Sequence, residues 1–206
     1  MTSVAATHLL QELRKTFAAS KEELDALDRA IGDGDHGSGL LRGFEAAAAL
    51  DHEVGEDALP AAVAKTFVTA SGGASAMLFG ALLQALSESA VGDERASTGF
   101  AQALAKAAKR VGQLGKAEPG DKSMLDALLP AVEAARTAAA ANHCQAEIAS
   151  AASVAAAAGA ESTKTMRAKR GRARYVEDGG YGHMDPGARS VALALATYHR
   201  WLGSQE

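Results

Sequence analysis

Apolar residues recur along this chain at helical spacing and almost nowhere in alternation. Leu9, Leu10, Leu13 and Phe17 share one face of a 3.6-residue period and predict a first helix. A second opens near Ser20, where Ser-x-x-Glu with Glu23 fits a capping box, and runs into the region of Asp28. After Gly37 the period resumes through Leu40, Leu41 and Phe44 to Leu50, then through Leu59, Val63 and Phe67. Ser71-Gly72-Gly73-Ala74-Ser75 stops it. Leu78, Leu82, Leu83 and Leu86 mark the next helix, with a turn expected at Gly92-Asp93-Glu94, and another helix covers about Thr98 to Val111.

The loop from Gly115 to Asp121 follows, with Asp121 placed to cap a helix carrying Met124, Leu125, Leu128, Leu129 and Val132. Pro130 should bend that helix or shift its hydrogen bonding. Residues 144–166 are nearly all small and read as a helix buried against close neighbours, because alanine favours helix and lets backbones approach. A Gly- and Arg-rich irregular stretch from Arg167 to Pro186 precedes a final helix marked by Val191, Leu195, Tyr198 and Leu202. With one Trp, three Tyr and five Phe, and no sustained alternation, a sheet is not expected. The fold class is all-α, with about eight helices in a single domain over 1–206 and no repeat of fixed period.

Composition narrows the function. Asp and Glu number 25 against 21 Lys and Arg, so no general attraction to nucleic acid or anionic lipid is implied, and an anionic ligand needs a local site. Cys144 is the only cysteine, which excludes an internal disulfide and a multi-cysteine zinc site and suits a reducing cytoplasm. The N-terminal residues lack a basic start followed by a long apolar run, and charged residues break every candidate span outside the alanine-rich helices. A protein in solution is expected.

The run Asp28-Arg29-Ala30-Ile31-Gly32-Asp33-Gly34-Asp35-His36-Gly37 breaks the helical pattern with poor helix formers, and packing alone does not explain it. Gly32, Gly34 and Gly37 formally match G-x-G-x-x-G. No strand precedes them, however, and Asp33 and Asp35 would face a pyrophosphate with like charge. A cation reverses that objection. Asp28, Asp33 and Asp35 supply three hard oxygen ligands of the kind Mg²⁺ prefers, with substrate phosphates completing its octahedron. An EF-hand does not fit, since counting from Asp33 the twelfth position is Phe44. The alternative is a set of capping and turn aspartates.

Two later stretches complement this turn. Ser71–Ser75 leads into a helix and offers N–H groups, a hydroxyl and a positive helix end to a phosphate, or is simply a helix–helix turn. No G-x-x-x-x-G-K-[ST] occurs, so this is not a P-loop chain. Lys169-Arg170-Gly171-Arg172-Ala173-Arg174, followed by Gly182-His183-Met184-Asp185-Pro186-Gly187, suits an arginine that compensates phosphate charge. A solvated basic face is the plain alternative. RNA binding is a rival reading, weakened because only Tyr175 and Tyr181 are near to stack on bases.

Taken together, Asp28-x4-Asp33-Gly-Asp35-His36-Gly37, Ser71-Gly-Gly-Ala-Ser75, Pro119-Gly-Asp-Lys-Ser-Met-Leu-Asp126, Arg170-Gly-Arg172 and Gly182-His-Met-Asp-Pro-Gly-Ala188 resemble, in order, the nucleotide-binding L subunit of dihydroxyacetone kinases. The resemblance covers nearly the whole chain. It implies a closed eight-helix barrel with ADP or ATP and two Mg²⁺ ions at one end. Asp28, Asp33 and Asp35 match the family's metal ligands. His36, Gly37, Ser38 and Gly39 match a nucleotide-contacting segment, Ala74 and Ser75 the phosphate loop, and Gly115 and Met124 positions around the nucleoside. Arg172 and the Asp185-Pro186-Gly187 turn complete the implied site, with Arg172 and the three aspartates carrying the chemistry. Ala76 stands where the family often has Gly, Ser123 where Thr is usual, and Arg174 where a small residue is common.

The chain has no evident site for a small keto sugar. The resemblance accounts for this: in the family a separate K subunit holds the ketone, and the L subunit brings the nucleotide. The implied partner is therefore a K-type subunit, with no nucleic acid and no membrane. The donor is left open between exchanging ATP and bound ADP recharged by a phosphohistidine protein of the sugar phosphotransferase system, and a homodimer is left open too. The rival functional class is a nucleotide-loaded regulatory module that acts by docking to another protein. A blander reading, a fold that has lost activity, conflicts with the intact Asp28, Asp33, Asp35 and Arg172.

Overall fold

In a computed structural model, residues 3–50, 55, 58–89 and 96–204 are described. They form nine α-helices and no strand: α1 Ser3–Ala19, α2 Lys21–Ile31, α3 His36–Ala48, α4 Leu59–Ser71, α5 Gly73–Ser89, α6 Ala96–Gly115, α7 Leu125–Ala140, α8 Gln145–Ser162 and α9 Pro186–Gly203. The expected turn at Gly92-Asp93-Glu94 lies outside the described residues. From α3 onward each helix packs on the next, and α1 packs on both α3 and α9. Eight helices thus close into a ring. The ninth, α2, sits at one end against α3 and α9, which brings the aspartate run to the end of the ring.

The interior has two characters. Phe17, Phe44, Phe67 and Phe79, one each from α1, α3, α4 and α5, form an aromatic cluster with ring centroids 4.5 to 5.9 Å apart. Across the ring α7 and α8 meet through small residues, with Ala131, Ala135, Ala152 and Ala156 fully buried. Gly159 is where they come closest, since a Cβ there would overlap the Asp126 carbonyl. Pro130 lies inside α7 and has no N–H to give that carbonyl, so the close approach falls where the helix leaves an acceptor free. The expected close-packed alanine helix is therefore observed.

Two expected caps are replaced by tertiary contacts. Ser20 precedes α2 but makes no side-chain cap; Glu23 instead pairs with Arg189 of α9 at 2.7 Å. Likewise α7 starts at Leu125 without a side-chain cap, and Asp121 pairs with Lys169 and Arg170 while accepting the Glu118 N–H of its own loop. In both places a partner distant in sequence competes with the local cap. No helix among the described residues is long and apolar enough to cross a membrane.

Candidate functional site

The turn after α2 is shaped by its own carboxylate. One oxygen of Asp28 accepts the N–H of Gly34 at 2.8 Å and that of Asp35 at 3.0 Å. Gly34 has φ +82, in the left-handed region, and a side chain at Gly32 would overlap Asp28, so the glycines let the chain fold back this tightly. Asp28, Asp33 and Asp35 then each present a carboxylate oxygen, all within 4.8 Å of one another, Asp28 half-buried and the others exposed. Like charges at this range repel, so the cluster favours cations. The chain supplies one: the guanidinium of Arg172 forms an ion pair with Asp33.

Buried contacts set the turn between α2, α3 and α9. Asp25 of α2 accepts the Ser38 N–H at 2.8 Å and its hydroxyl at 2.6 Å, with Lys21 at 3.1 Å. Burial pushes the Asp25 carboxyl up, but the Ser38 hydrogen bonds and Lys21 outweigh it, so its pKa is lowered and it remains an anion. Gly37 presses on the Lys21 carbonyl and on Leu24, where any side chain would collide. His36 is buried with Nε2 2.8 Å from the Ser190 hydroxyl, which donates to the Pro186 carbonyl at 2.8 Å. Burial lowers the His36 pKa against the raising influence of Asp28, Asp35 and Asp25, so the ring is neutral at pH 7. Its imidazole therefore joins α3 to α9, and what this position can offer a ligand is its backbone.

The Ser71–Ser75 stretch abuts the same end of α3. The Ser71 carbonyl accepts from Arg42 at 3.2 Å and lies against Gly39, where a Cβ would stand 3.3 Å away. Gly72 and Gly73 carry φ of +69 and +76, and α5 begins at Gly73, so Ala74 and Ser75 fall in its first turn. The start of α3, which follows directly on Asp35, and the turn that opens α5 thus approach each other through Gly39 and Ser71, although the N–H of Ser38 is already taken by Asp25 and that of Gly39 by the Asp35 carbonyl at 2.8 Å.

Opposite them runs a strap, residues 163–185, whose regular structure is limited to the short turns Thr163–Thr165, Ala173–Tyr175 and Glu177–Gly180. Its basic residues divide the work. Lys169 and Arg170 pair with the buried Asp121 at 3.2 and 3.5 Å, Arg174 stacks on Tyr175, and Arg172 reaches Asp33. The 118–126 loop is stapled internally, with Asp126 accepting the N–H groups of Gly120 at 2.6 Å and Ser123 at 2.8 Å. At the strap's end Asp185 caps α9 through the Ala188 N–H at 2.7 Å. Asp185 keeps some exposed surface, but burial of its carboxyl pushes the pKa up to about 7, against the lowering effect of the Ala188 N–H and Lys122. Gly187 faces Met124, which stands 2.7 Å from where a Cβ would be. Gly115 packs on Leu78 and Ala117 and is not hydrogen-bonded to the aspartate turn among the described residues.

Direct contacts therefore join Asp28, Asp33, Asp35 and Arg172, place Gly39 beside Ser71, and pair Met124 with Gly187. Asp25, Arg42 and Ser190 are not singled out by the sequence, and Asp121 is singled out only as a helix cap. Asp25 stands three residues before Asp28 on a strongly acidic helix, which hides it; burial within such a helix is the only signal it leaves.

Residues 30–200 match the DAK2 domain family. The chain belongs to the DAK2 family. The DAK2 chain is 37% identical over 185 residues to the ADP-binding subunit DhaL of the PEP-dependent dihydroxyacetone kinase of Escherichia coli, covering 87% of each. It is 36% identical over 192 residues to a D-erythrulose kinase of Mycolicibacterium smegmatis, covering 90% of the DAK2 chain but 33% of that kinase. The crystal structure of the dihydroxyacetone kinase from C. freundii in complex with AMP-PNP and Mg²⁺ superposes with a TM-score of 0.68 at 25% identity, over 95% of the DAK2 chain and 33% of that one. The chain thus spans most of a separate subunit and about one third of the longer kinases, and the all-helical ring is the fold of this family.

Proposed function

We propose that this chain is the nucleotide-binding subunit of a phosphotransferase acting on dihydroxyacetone or a related ketose, and that it works as one domain in the cytoplasm. The observation that carries the proposal is the aspartate triad. Three carboxylate oxygens lie within 4.8 Å at the end of a helical ring, facing an arginine, in a chain similar to an ADP-binding kinase subunit. The donor set is all hard oxygen, and Arg172 on Asp33 marks its demand for positive charge, so the residues fit Mg²⁺. Asp28, Asp33 and Asp35 would hold two such ions, which when bound would neutralise phosphate oxygens.

The remaining roles belong to the chain itself. Backbone N–H groups of His36 and Gly37 at the start of α3, with Ala74 and Ser75 at the start of α5, would receive phosphate oxygens along two positive helix ends, and Gly39, whose N–H is bonded to the Asp35 carbonyl, would leave room beside them. Met124, Gly115 and the Asp185-Pro186-Gly187 turn would flank the nucleoside. Arg172 would leave Asp33 for the transferring phosphoryl group, where charge compensation lowers the barrier. The ketone would come on a separate K-type subunit. The donor is either exchanging ATP or ADP recharged by a phosphohistidine protein, and nucleotide retention through dialysis separates the two.

Calorimetry of nucleotide binding with and without Mg²⁺ tests the site. Metal-dependent binding that Asp35→Asn abolishes is expected, and no binding by the unaltered chain would undo the proposal. Mixing experiments test the division of labour: phosphorylation of a ketose should require an added K-type subunit, and robust activity of the chain alone would refute it.

A further inference from the structure

Lys122 is a buried cation at the centre of the 118–126 loop, 2% exposed, on a backbone with φ +59 that a lysine rarely adopts. Its ammonium is engaged on both sides of the strap. It donates to the Thr163 carbonyl at 2.6 Å, where α8 ends, and to the His183 carbonyl just before α9 begins. Between these points the strap pairs with itself, Gly182 N–H to the Lys164 carbonyl at 2.7 Å and Ala168 N–H to the Gly179 carbonyl at 2.9 Å. The Lys122 stem runs under Gly180, with Cε 3.5 Å from where a Cβ would stand. Arg172 projects from the strap so closed and meets Asp33. Two of the three ammonium N–H groups are taken by carbonyls and the side chain is buried, so Lys122 is engaged with the strap rather than with solvent.

We infer that Lys122 is a positioning residue whose ammonium clasps the two ends of the strap and thereby holds Arg172 over the aspartate cluster. The kinetic side of this inference rests on the role proposed above for Arg172; the clasp itself does not.

Hydrogen exchange followed by mass spectrometry on the full chain reads the clasp directly, comparing Lys122→Met with Lys122→Arg. Lys122→Met should raise exchange between residues 164 and 183 by about tenfold while α7 and α8 are unchanged, and Lys122→Arg should restore most of the protection. Unchanged strap exchange would overturn the inference, as would a rise spread evenly over all helices, which would make Lys122 a general stabiliser. In the assembled kinase Lys122→Met should lower kcat by about 10- to 100-fold, as misplacement of a charge-compensating group does, with the nucleotide KM held within about threefold. Combined with Arg172→Ala it should cost nothing further; losses that multiply would break the link to Arg172. Should the unaltered assembly transfer no phosphoryl group, the proposed function fails while the exchange data still decide the clasp.

Discussion

The aspartate turn and the arginine strap carry opposite charges and are built in opposite ways. The turn lies between two helix ends, and its anchors are interior: Asp25 with Ser38, His36 with Ser190, and Gly37 on the backbone of α2. The strap is mostly exposed, contains only short turns, and is fastened by side chains of a neighbouring loop, Asp121 and Lys122. The carboxylates are therefore fixed by the same contacts that stabilise the fold, whereas the cation facing them is held by a few separable bonds. A site that admits and releases a charged nucleotide, as proposed here, would benefit from this division, since the frame would stay rigid while the arm carrying Arg172 could move.

The largest effects should come from the rigid side. Asp33→Asn removes one of the proposed metal-ligand oxygens and the charged partner of Arg172, and phosphoryl transfer in the assembled kinase should fall by about a thousandfold or more, with Mg²⁺-dependent nucleotide binding lost in calorimetry. On the movable side, Arg172→Ala should lower kcat by about 100- to 1000-fold while nucleotide still binds with metal. Steady-state kinetics beside calorimetry distinguishes the two, and loss of binding in Arg172→Ala would collapse the contrast between turn and strap.

The same contrast explains what was legible beforehand. Asp28, Asp33 and Asp35 stood out because acid and glycine interrupt an alanine- and leucine-rich helical pattern where packing gives no reason for them. By charge alone Arg172 is equivalent to its neighbours Lys169, Arg170 and Arg174, and the family resemblance is what singles it out; in the structure the distant Asp121 takes Lys169 and Arg170 for fastening and leaves Arg172 to Asp33. Asp25 resembled its solvated neighbours Glu22 and Glu23, and its burial depends on Ser38 across the turn. The caps expected at Ser20 and Asp121 failed for the same reason, since Arg189 and the strap supply partners that no local pattern contains. The helices followed from periodicity almost throughout, but that α2 stands outside the ring depends on tertiary packing.

Gly37→Ala sharpens the claim that the turn is part of the frame. A methyl there would run into the Lys21 carbonyl and crowd Leu24, backbone and core groups that cannot swing aside. Overpacking of this kind should cost about 1–3 kcal/mol in urea unfolding, with loss of metal-dependent binding. An equally stable variant would mean that α2 and α3 can separate, and the turn would then be no more rigid than the strap.

The smallest effect concerns the hinge between strap and α9. Asp185 has an ordinary pKa of 3.8 and is pushed up to about 7 by burial, with Asp126 and Asp28 adding to the rise and the Ala188 N–H and Lys122 opposing it. Between those values the folded chain holds a proton that the unfolded chain has released, so stability falls as pH rises from 3.8 to about 7. Asp185→Asn keeps an acceptor for the Ala188 N–H but never becomes charged. Its melting temperature should match the unaltered chain below that window and exceed it above, by about 2–4 °C for each kcal/mol of stability that the unaltered chain loses across it. The gap should open with pH, and a gap that closes instead would mean that Lys122 stabilises the Asp185 anion more than burial penalises it, making the strap's end an ion pair.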